Sequence, residues 1–428
     1  MVNRDKSTKV LILLGPGFGP QILIPLPPDI AIPLQLANVG YLITLVESFK
    51  NIRKPSFYIL RNLQVLATPA KACNKSNILH KLLCEPIHVF KRYILILKHC
   101  NEVKYDVIFV SRSLLDGLLA LLLKKASCSC HIVFLSENPL EQSWVTRRFY
   151  AKHKVLADIT SVFRWCLSLY LLRKVDLIIV ISEWLKEDLI KKGIAESKIV
   201  VLPEGADSYR YPRVSKYVIR EKLGLKKDER IIIYVGSIDR LRNLGKLIIS
   251  FYKVKKEVKD IKLRLLIVGD GNDRQNLEAL SRKLGISDSI TFTGIVDPRI
   301  VPEYIVASDI GLSIVPPFEF YKLSSPIKLF EYMCTGIPVI ANEEIFEHKK
   351  VIEESEGGIL VPYSSESIAN AIIYLLKNSS EAINMGKRGA EWVRRFRTFD
   401  ILLQQLNNYL QSFFATKQYC KRKVRKLY

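Results

Sequence analysis

No two of the eight cysteines form a CxxC pair; Cys73, Cys84, Cys100, Cys128, Cys130, Cys166, Cys334 and Cys420 are scattered along 428 residues. That scatter argues against a zinc ribbon or a thioredoxin-type site, and Cys128-Ser-Cys130 reads as two ordinary loop thiols. A long uninterrupted apolar run is missing as well. Ile22 to Val46 has the length, but Pro25, Pro27, Pro28 and Pro33 remove backbone donors and Asp29 adds a charge. No spanning helix of about 20 residues fits there, and the stretch reads as a Pro-rich loop followed by a buried helix from about Pro33 to Phe49. Val10 to Leu14 is too short for a signal-peptide core and runs into Gly15-Pro16-Gly17, so the expected location is cytoplasmic. Acids are scarce too: 42 Asp and Glu face 65 Lys and Arg, a formal charge of +23.

What is present belongs to a globular protein. With 49% hydrophobic and 25% charged residues the chain can bury a large core, and its length points to two or three domains. The excess charge needs a partner. Eleven Lys or Arg lie between Lys50 and Lys104 against Glu85 and Glu102, and Arg147 to Lys174 carries seven against Asp158, interleaved with Phe149, Tyr150, Phe163, Trp165 and Tyr170. Cations beside aromatics and aliphatics suit an anionic membrane surface, or else form a solvated basic face on ordinary core helices. The end, Lys417 to Tyr428, has six basic residues and no acid, and reads as a frayed tail or another polyanion contact.

Short apolar runs recur at Lys9 to Leu14, Phe57 to Leu60, Val107 to Val110, Ile132 to Leu135, Leu177 to Ile181 and Ile199 to Leu202, mostly with helical lengths between them. Strands alternating with helices imply a parallel sheet covered on both faces. The pattern restarts at Ile231 to Val235 and continues through Leu263 to Val268, Ile290 to Phe292, Ile310 to Ile314 and Pro338 to Ala341, with Pro203 to Pro212 as the hinge between the series. After Ser364 the chain reads as helical to about Ser412, broken near Gly386 to Gly389. The expected fold is α/β, with two Rossmann-like doubly wound domains facing a cleft. The divisions are an N-terminal domain over residues 1–205, a second over 206–395, a C-terminal helix over 396–414 and a basic tail over 415–428.

Several strings, taken in their joint order, resemble the retaining glycosyltransferases of the GT-B fold, specifically family 4. They are Val175-Asp-Leu-Ile-Ile-Val-Ile-Ser182, Pro203-Glu-Gly-Ala-Asp207, Tyr234-Val-Gly-Ser-Ile-Asp-Arg-Leu-Arg242, Val268-Gly-Asp-Gly271, Phe292-Thr-Gly-Ile-Val296, Ala307-Ser-Asp309 and Ser324-Ser-Pro-Ile-Lys-Leu-Phe-Glu-Tyr-Met-Cys-Thr-Gly-Ile-Pro338. The resemblance runs from about Asp106 to Arg397. It implies a nucleotide-sugar donor, UDP- or GDP-linked, as substrate, with no dedicated metal and no further cofactor.

The chemistry of the last string agrees. A carboxylate accepts two hydrogen bonds from a ribose diol, and turn amides at a helix N-terminus hold phosphates. Ser324, Ser325 and Pro326 would form that turn and Ile327 would open the helix. By resemblance Glu331 binds the donor ribose; Lys328 is a phosphate or loop-fixing cation, or a solvent-facing lysine. Leu323 stands where the family often has a second glutamate. Ser237 stands where it commonly has an arginine after the strand glycine, Gly236, while Arg242 matches a later lysine. Arg242 is the expected stabiliser of the leaving diphosphate, with Arg240 as the alternative. Ile295 and Val296 match the base-contacting positions, and Gly269-Asp270-Gly271 reads as a structural turn.

In the first half, Gly17 lies in a glycine-rich loop that by resemblance borders both the acceptor and the donor phosphate, or else is a plain turn. Ser111, followed by Arg112, takes the place of a family histidine, and none of the six histidines stands at a catalytic position. Asp116, near the start of a helix expected at Gly117, is either an acceptor-side group or an N-cap. Glu137, followed by Asn138, is the favoured acceptor-side carboxylate. The resulting expectation is a retaining hexosyltransferase acting on a membrane-associated, lipid-linked glycan acceptor, peripheral on the cytoplasmic face of the membrane and not a nucleic-acid binder. Two competitors remain: a nucleotide-sugar epimerase of GT-B-like fold, and a non-catalytic basic protein that binds membranes or nucleic acid.

Overall fold

The structure is a computed structural model, and it describes residues 8–14, 36–39, 41–49, 56–60, 63–69, 90, 93–111, 114–126, 130–136, 139–151 and 154–425. The chain divides into two compact units, Met1–Leu202 with Leu403–Tyr428 and Pro203–Leu402.

The first unit is built on eight strands: β1 (Lys9–Leu14), β2 (Leu42–Phe49), β3 (Ser56–Leu60), β4 (Leu63–Pro69), β5 (Val107–Ser111), β6 (His131–Ser136), β7 (Leu177–Val180) and β8 (Ile199–Val201). Their order is β3-β4-β2-β1-β5-β6-β7-β8. All neighbours are parallel except the edge pair β3 and β4. Leu11, Leu13, Ile108, Val110, Ile132 and Phe134 pack into one buried cluster, while Val10, Ile12, Val107 and Phe109 between them are buried as well. Both faces are therefore covered, as a parallel sheet requires.

Here the expected buried helix from about Pro33 to Phe49 is overturned. A 3₁₀ turn spans Leu36–Val39, and Leu42–Phe49 is a strand paired with both β1 and β4. A strand buried on two faces reads as a continuous apolar run, which periodicity does not distinguish from a buried helix; the β-branched Ile43, Thr44 and Val46 decide for the strand.

The second unit carries β9 (Arg230–Val235), β10 (Leu263–Val268), β11 (Ile290–Phe292), β12 (Ile310–Ser313), β13 (Val339–Asn342) and β14 (Gly358–Val361), in the order β11-β10-β9-β12-β13-β14. Ile231 and Ile233 join one apolar layer with Leu266, whereas Ile232 and Tyr234 join the other with Leu265 and Ile267. Every strand connection is parallel, which puts all carboxyl ends on one edge of the sheet. Asp309, at the end of the Ala307-Ser-Asp309 string, bonds the Ile231 amide at 2.8 Å and the fully buried Arg220 at 2.7 Å, fixing the opposite edge.

Two expectations about the last third change. Helix Ser379–Phe396 runs unbroken through Gly386 and Gly389. Those glycines are packing sites rather than breaks: a Cβ on Gly386 would lie 1.9 Å from the Gly336 carbonyl oxygen, and one on Gly389 3.2 Å from the Gly357 Cα. The final helix spans Phe399–Arg425, so most of the expected basic tail is helical. Leu402, Leu406 and Leu410, one turn apart and fully buried, carry it onward. Among the described residues no helix is long and apolar enough to cross a membrane.

Candidate functional site

The carboxyl ends of β9 and β10 meet backbone to backbone. Gly236 and Gly269 adopt φ of 147° and 138°, and a Cβ on Gly269 would sit 2.0 Å from the Gly236 oxygen. One on Gly271 would sit 2.1 Å from the Ile238 oxygen. Only glycine fits such contacts, so Gly269-Asp270-Gly271 is structural, and it fixes the loop after β9. Tyr332 helps from below, its hydroxyl accepting the Val235 amide at 2.8 Å.

That loop then makes a 3₁₀ turn over Arg240–Arg242. Asp239 caps it, accepting from the Arg242 amide at 3.2 Å and from the Ser237 hydroxyl at 2.8 Å, and Asn243 ends it in the left-handed region at φ 48°. Arg242 is directed by its Nε, which donates to Ser237 Oγ at 3.4 Å, and by the Tyr321 ring, whose centre is 4.8 Å from the guanidinium carbon. Among the described residues its terminal nitrogens donate to nothing. The Arg240 side chain is exposed, while its amide donates to Asn272 Oδ1 at 3.2 Å.

Helix Ile327–Cys334 starts where the sequence places it, with Pro326 at its N-cap and no side chain capping its first turn. Among the described residues the Ile327 and Lys328 amides donate to nothing, as an anion site needs, while the Leu329 amide donates to the Pro326 carbonyl at 3.1 Å. Ser325 is buried, and its hydroxyl accepts the Glu204 amide at 3.4 Å; the Ser324 hydroxyl donates to the Tyr321 carbonyl at 2.6 Å. Lys328 turns back across the sheet ends, its ammonium 3.9 Å from the Tyr234 ring centre and 3.3 Å from where a Gly236 Cβ would be. A side chain at residue 236 would displace it.

Lys328 and Glu331, one turn apart, keep only part of their surface in solvent. Burial, with Arg242 adding to it, pulls the Lys328 ammonium well below the usual lysine range against Glu331 and Asp239. Burial likewise raises the Glu331 carboxyl against Arg210 and Lys328. The site thus gathers Gly236, Arg242, Lys328 and the unpaired helix amides at one end of one sheet, with Glu331 a turn further along.

The Gly294 backbone pairs with Gly269, so Ile295 and Val296 follow directly after a strand end that meets the Gly269-Asp270-Gly271 turn. Ile295 is 87% exposed, and Val296 packs against the second unit's core. Gly17 and Glu137 fall outside the described residues, as do Arg112 and Asn138. Asp116 corrects an expectation: the helix begins at Leu114, not near Gly117, so Asp116 lies inside the first turn and is no N-cap. It is 3% exposed.

Sequence reasoning passed over Tyr234, Tyr321, Tyr332 and Arg210, all contributors to this geometry. It also passed over a buried polar network beside the site. Val315 donates its amide to Asn342 Oδ1 at 2.8 Å, Asn342 Nδ2 donates to Glu344 at 2.9 Å, and His348 bridges the Asn342 carbonyl and the Ser313 hydroxyl. The signal was available for the tyrosines, since Tyr234 ends a strand and Tyr321 follows an aromatic run. For the network there was none.

Comparison with known proteins agrees with the geometry. Residues 215–392 match the family described as Glycosyl transferases group 1, and residues 68–210 match Glycosyltransferase Family 4. An uncharacterized glycosyltransferase of Methanocaldococcus jannaschii is 23% identical over 72% of this chain and 77% of its own. The alpha-monoglucosyldiacylglycerol synthase of Streptococcus pneumoniae is 25% identical over 48% of this chain, which spans only 45% of that relative. In fold, sucrose-phosphate synthase from Thermosynechococcus elongatus superposes with a TM-score of 0.73 at 18% identity, covering 96% of this chain and 100% of its own. An Anabaena protein in complex with UDP and glucose does so with 0.67 at 15%, covering 95% and 100%.

Proposed function

Because the chain belongs to the GT-B glycosyltransferases of family 4 and group 1, we propose that it is a retaining enzyme moving a hexose from a UDP- or GDP-sugar to a membrane-associated, lipid-linked glycan acceptor. The observation that carries the donor half is the meeting of Lys328 with Gly236, beside the first turn of helix Ile327–Cys334, which no side chain caps. In this reading Glu331 accepts the two ribose hydroxyls, and the amides of Ser325 and Ile327 take the diphosphate. Burial disfavours the charged form of Lys328, and the arriving phosphates favour it. Arg242 then offsets the charge that grows on the leaving diphosphate. The departing phosphate takes the acceptor proton on the same face, which needs no histidine.

We assign the acceptor to the first unit. The helix Lys154–Lys174 supports a membrane-bound one: Val155, Ile159, Phe163 and Tyr170 form a stripe on it, 74, 62, 67 and 52% exposed. Arg148, Lys154, Arg173 and Lys174 flank that stripe, which is the composition of an interfacial helix on the anionic, cytoplasmic face. The Streptococcus relative is likewise named for a glycolipid product.

A thermal-shift titration with UDP, GDP and ADP on wild type and Glu331→Ala tests the donor site. A nucleotide at about 100 times its dissociation constant adds about 2.7 kcal/mol of stability. One nucleotide should stabilise the wild type, and the variant should lose that gain. Equal affinity in both proteins removes Glu331 from the site, and a protein that turns over a nucleotide sugar with no acceptor present is an epimerase instead.

A further inference from the structure

We propose that Tyr321 is a positioning residue for the transferase reaction, holding the Arg242 guanidinium in the attitude in which it meets the donor diphosphate. The inference rests on the reading of Arg242 given above. Arginine is a long side chain with much rotamer freedom, and an unanchored one loses that freedom when it binds. Among the described residues the Arg242 side chain has one hydrogen bond, the long Nε contact to Ser237 at 3.4 Å. The nearest acid on its own turn does not replace it, because Asp239 is engaged with the Ser237 hydroxyl and the Arg242 amide. A carboxylate partner would in any case cancel the charge that the phosphates need.

An aromatic face solves both problems. With its carbon 4.8 Å from the ring centre, the guanidinium is oriented by a contact that takes none of its N–H groups, and only its Nε–H is engaged, by Ser237. Its two terminal nitrogens stay available for a forked contact with phosphate oxygens. Tyr321 is itself immobile: it is 8% exposed, packs on Phe320 at 4.3 Å between ring centres, and shares a small apolar cluster with Val315 and Ile345. Phe318 stacks in turn on Phe320, nearly coplanar at 6°. The Val315 amide is tied to Asn342, so the buried polar network fixes the loop after β12 and the loop fixes the ring.

The test is a double-mutant cycle read by calorimetric titration of whichever of UDP and GDP binds the wild type tighter, with the matching monophosphate as control. Arg242→Ala should weaken the diphosphate about tenfold or more and the monophosphate less. Tyr321→Leu should weaken the diphosphate by about tenfold, the scale of a well-packed cation–π contact, whereas Tyr321→Phe should keep wild-type affinity. In the Arg242→Ala background Tyr321→Leu should cost nothing further. Should Tyr321→Leu not fold, Tyr321→Met, which fills the volume without a ring, takes its place. Additive losses, equal losses with mono- and diphosphate, or failure of the phenylalanine to rescue would overturn the positioning role while leaving the donor site intact. An unchanged diphosphate affinity in Arg242→Ala, or no nucleotide binding at all, overturns the reading of the site and the role of Tyr321 with it.

Discussion

His348 has no exposed surface, and its neighbours define its charge. Its Nδ1 faces the Asn342 carbonyl at 3.1 Å, which only accepts, so Nδ1 carries the proton and Nε2 accepts from the Ser313 hydroxyl at 2.9 Å. Burial, opposed by the bond to Asn342, brings the imidazole down to about 3. A histidine held neutral in the fold but free to charge when unfolded contributes stability in full above its unfolded pKa near 6.5. That contribution falls away as pH drops toward 3. Between pH 7 and pH 5 the loss should be about 2 kcal/mol in denaturant titrations. His348→Gln, less stable overall, should show a correspondingly flatter dependence, and an equal slope in both proteins would deny the buried neutral state. Nothing in the sequence pointed to this residue, because its partner Ser313 lies 35 residues away on β12. Glu331 was legible for the opposite reason: its turn, its helix and its carboxylate form one continuous string.

At the scale of elements, the strands that end in glycine were readable, since a β-branched run followed by a residue needing positive φ marks both the strand and its exit. β9 and β10 lie where they were expected. β2 was misread because burial on two faces erases periodicity, and β4 and β14 were passed over. The two glycines of helix Ser379–Phe396 were misread because a glycine that breaks a helix and one that admits a neighbouring backbone look alike in sequence. Gly386→Ala discriminates. Its Cβ would meet the Gly336 carbonyl oxygen at 1.9 Å, so the helix must move, and thermal unfolding should register a loss of about 1 to 3 kcal/mol. Were the glycine a helix break, alanine would stabilise the helix by up to about 1 kcal/mol.

At the scale of the whole molecule, charge and exposed apolar surface decide where the protein resides. A charge of +23 alone attracts any polyanion, and in the proposed membrane reading the exposed stripe of Val155, Ile159, Phe163 and Tyr170 adds an apolar contact. Vesicles containing anionic lipid should retain the protein at low salt and release it as salt rises, and neutral vesicles should retain it poorly. Phe163→Ser should lower retention by about tenfold, given about 25 cal/mol per Å² of buried apolar area, without altering the thermal shift produced by nucleotide. Retention that is indifferent to lipid charge and to Phe163, or equal retention on DNA, would dismiss the membrane reading.

The sequence by itself determined the fold class, the restart of the strand series after Pro203, the glycine turns and the helix that opens after Pro326. Each of these depends on residues adjacent in the chain, where period, backbone freedom and capping act locally. Only the tertiary structure decided that Arg242 rests on Tyr321, that Lys328 lies over Tyr234 beside Gly236, and that Gly386 meets Gly336. Those contacts join elements separated by whole strands and helices, and what a side chain touches across such a distance is set by how the layers pack rather than by any pattern in the letters between them.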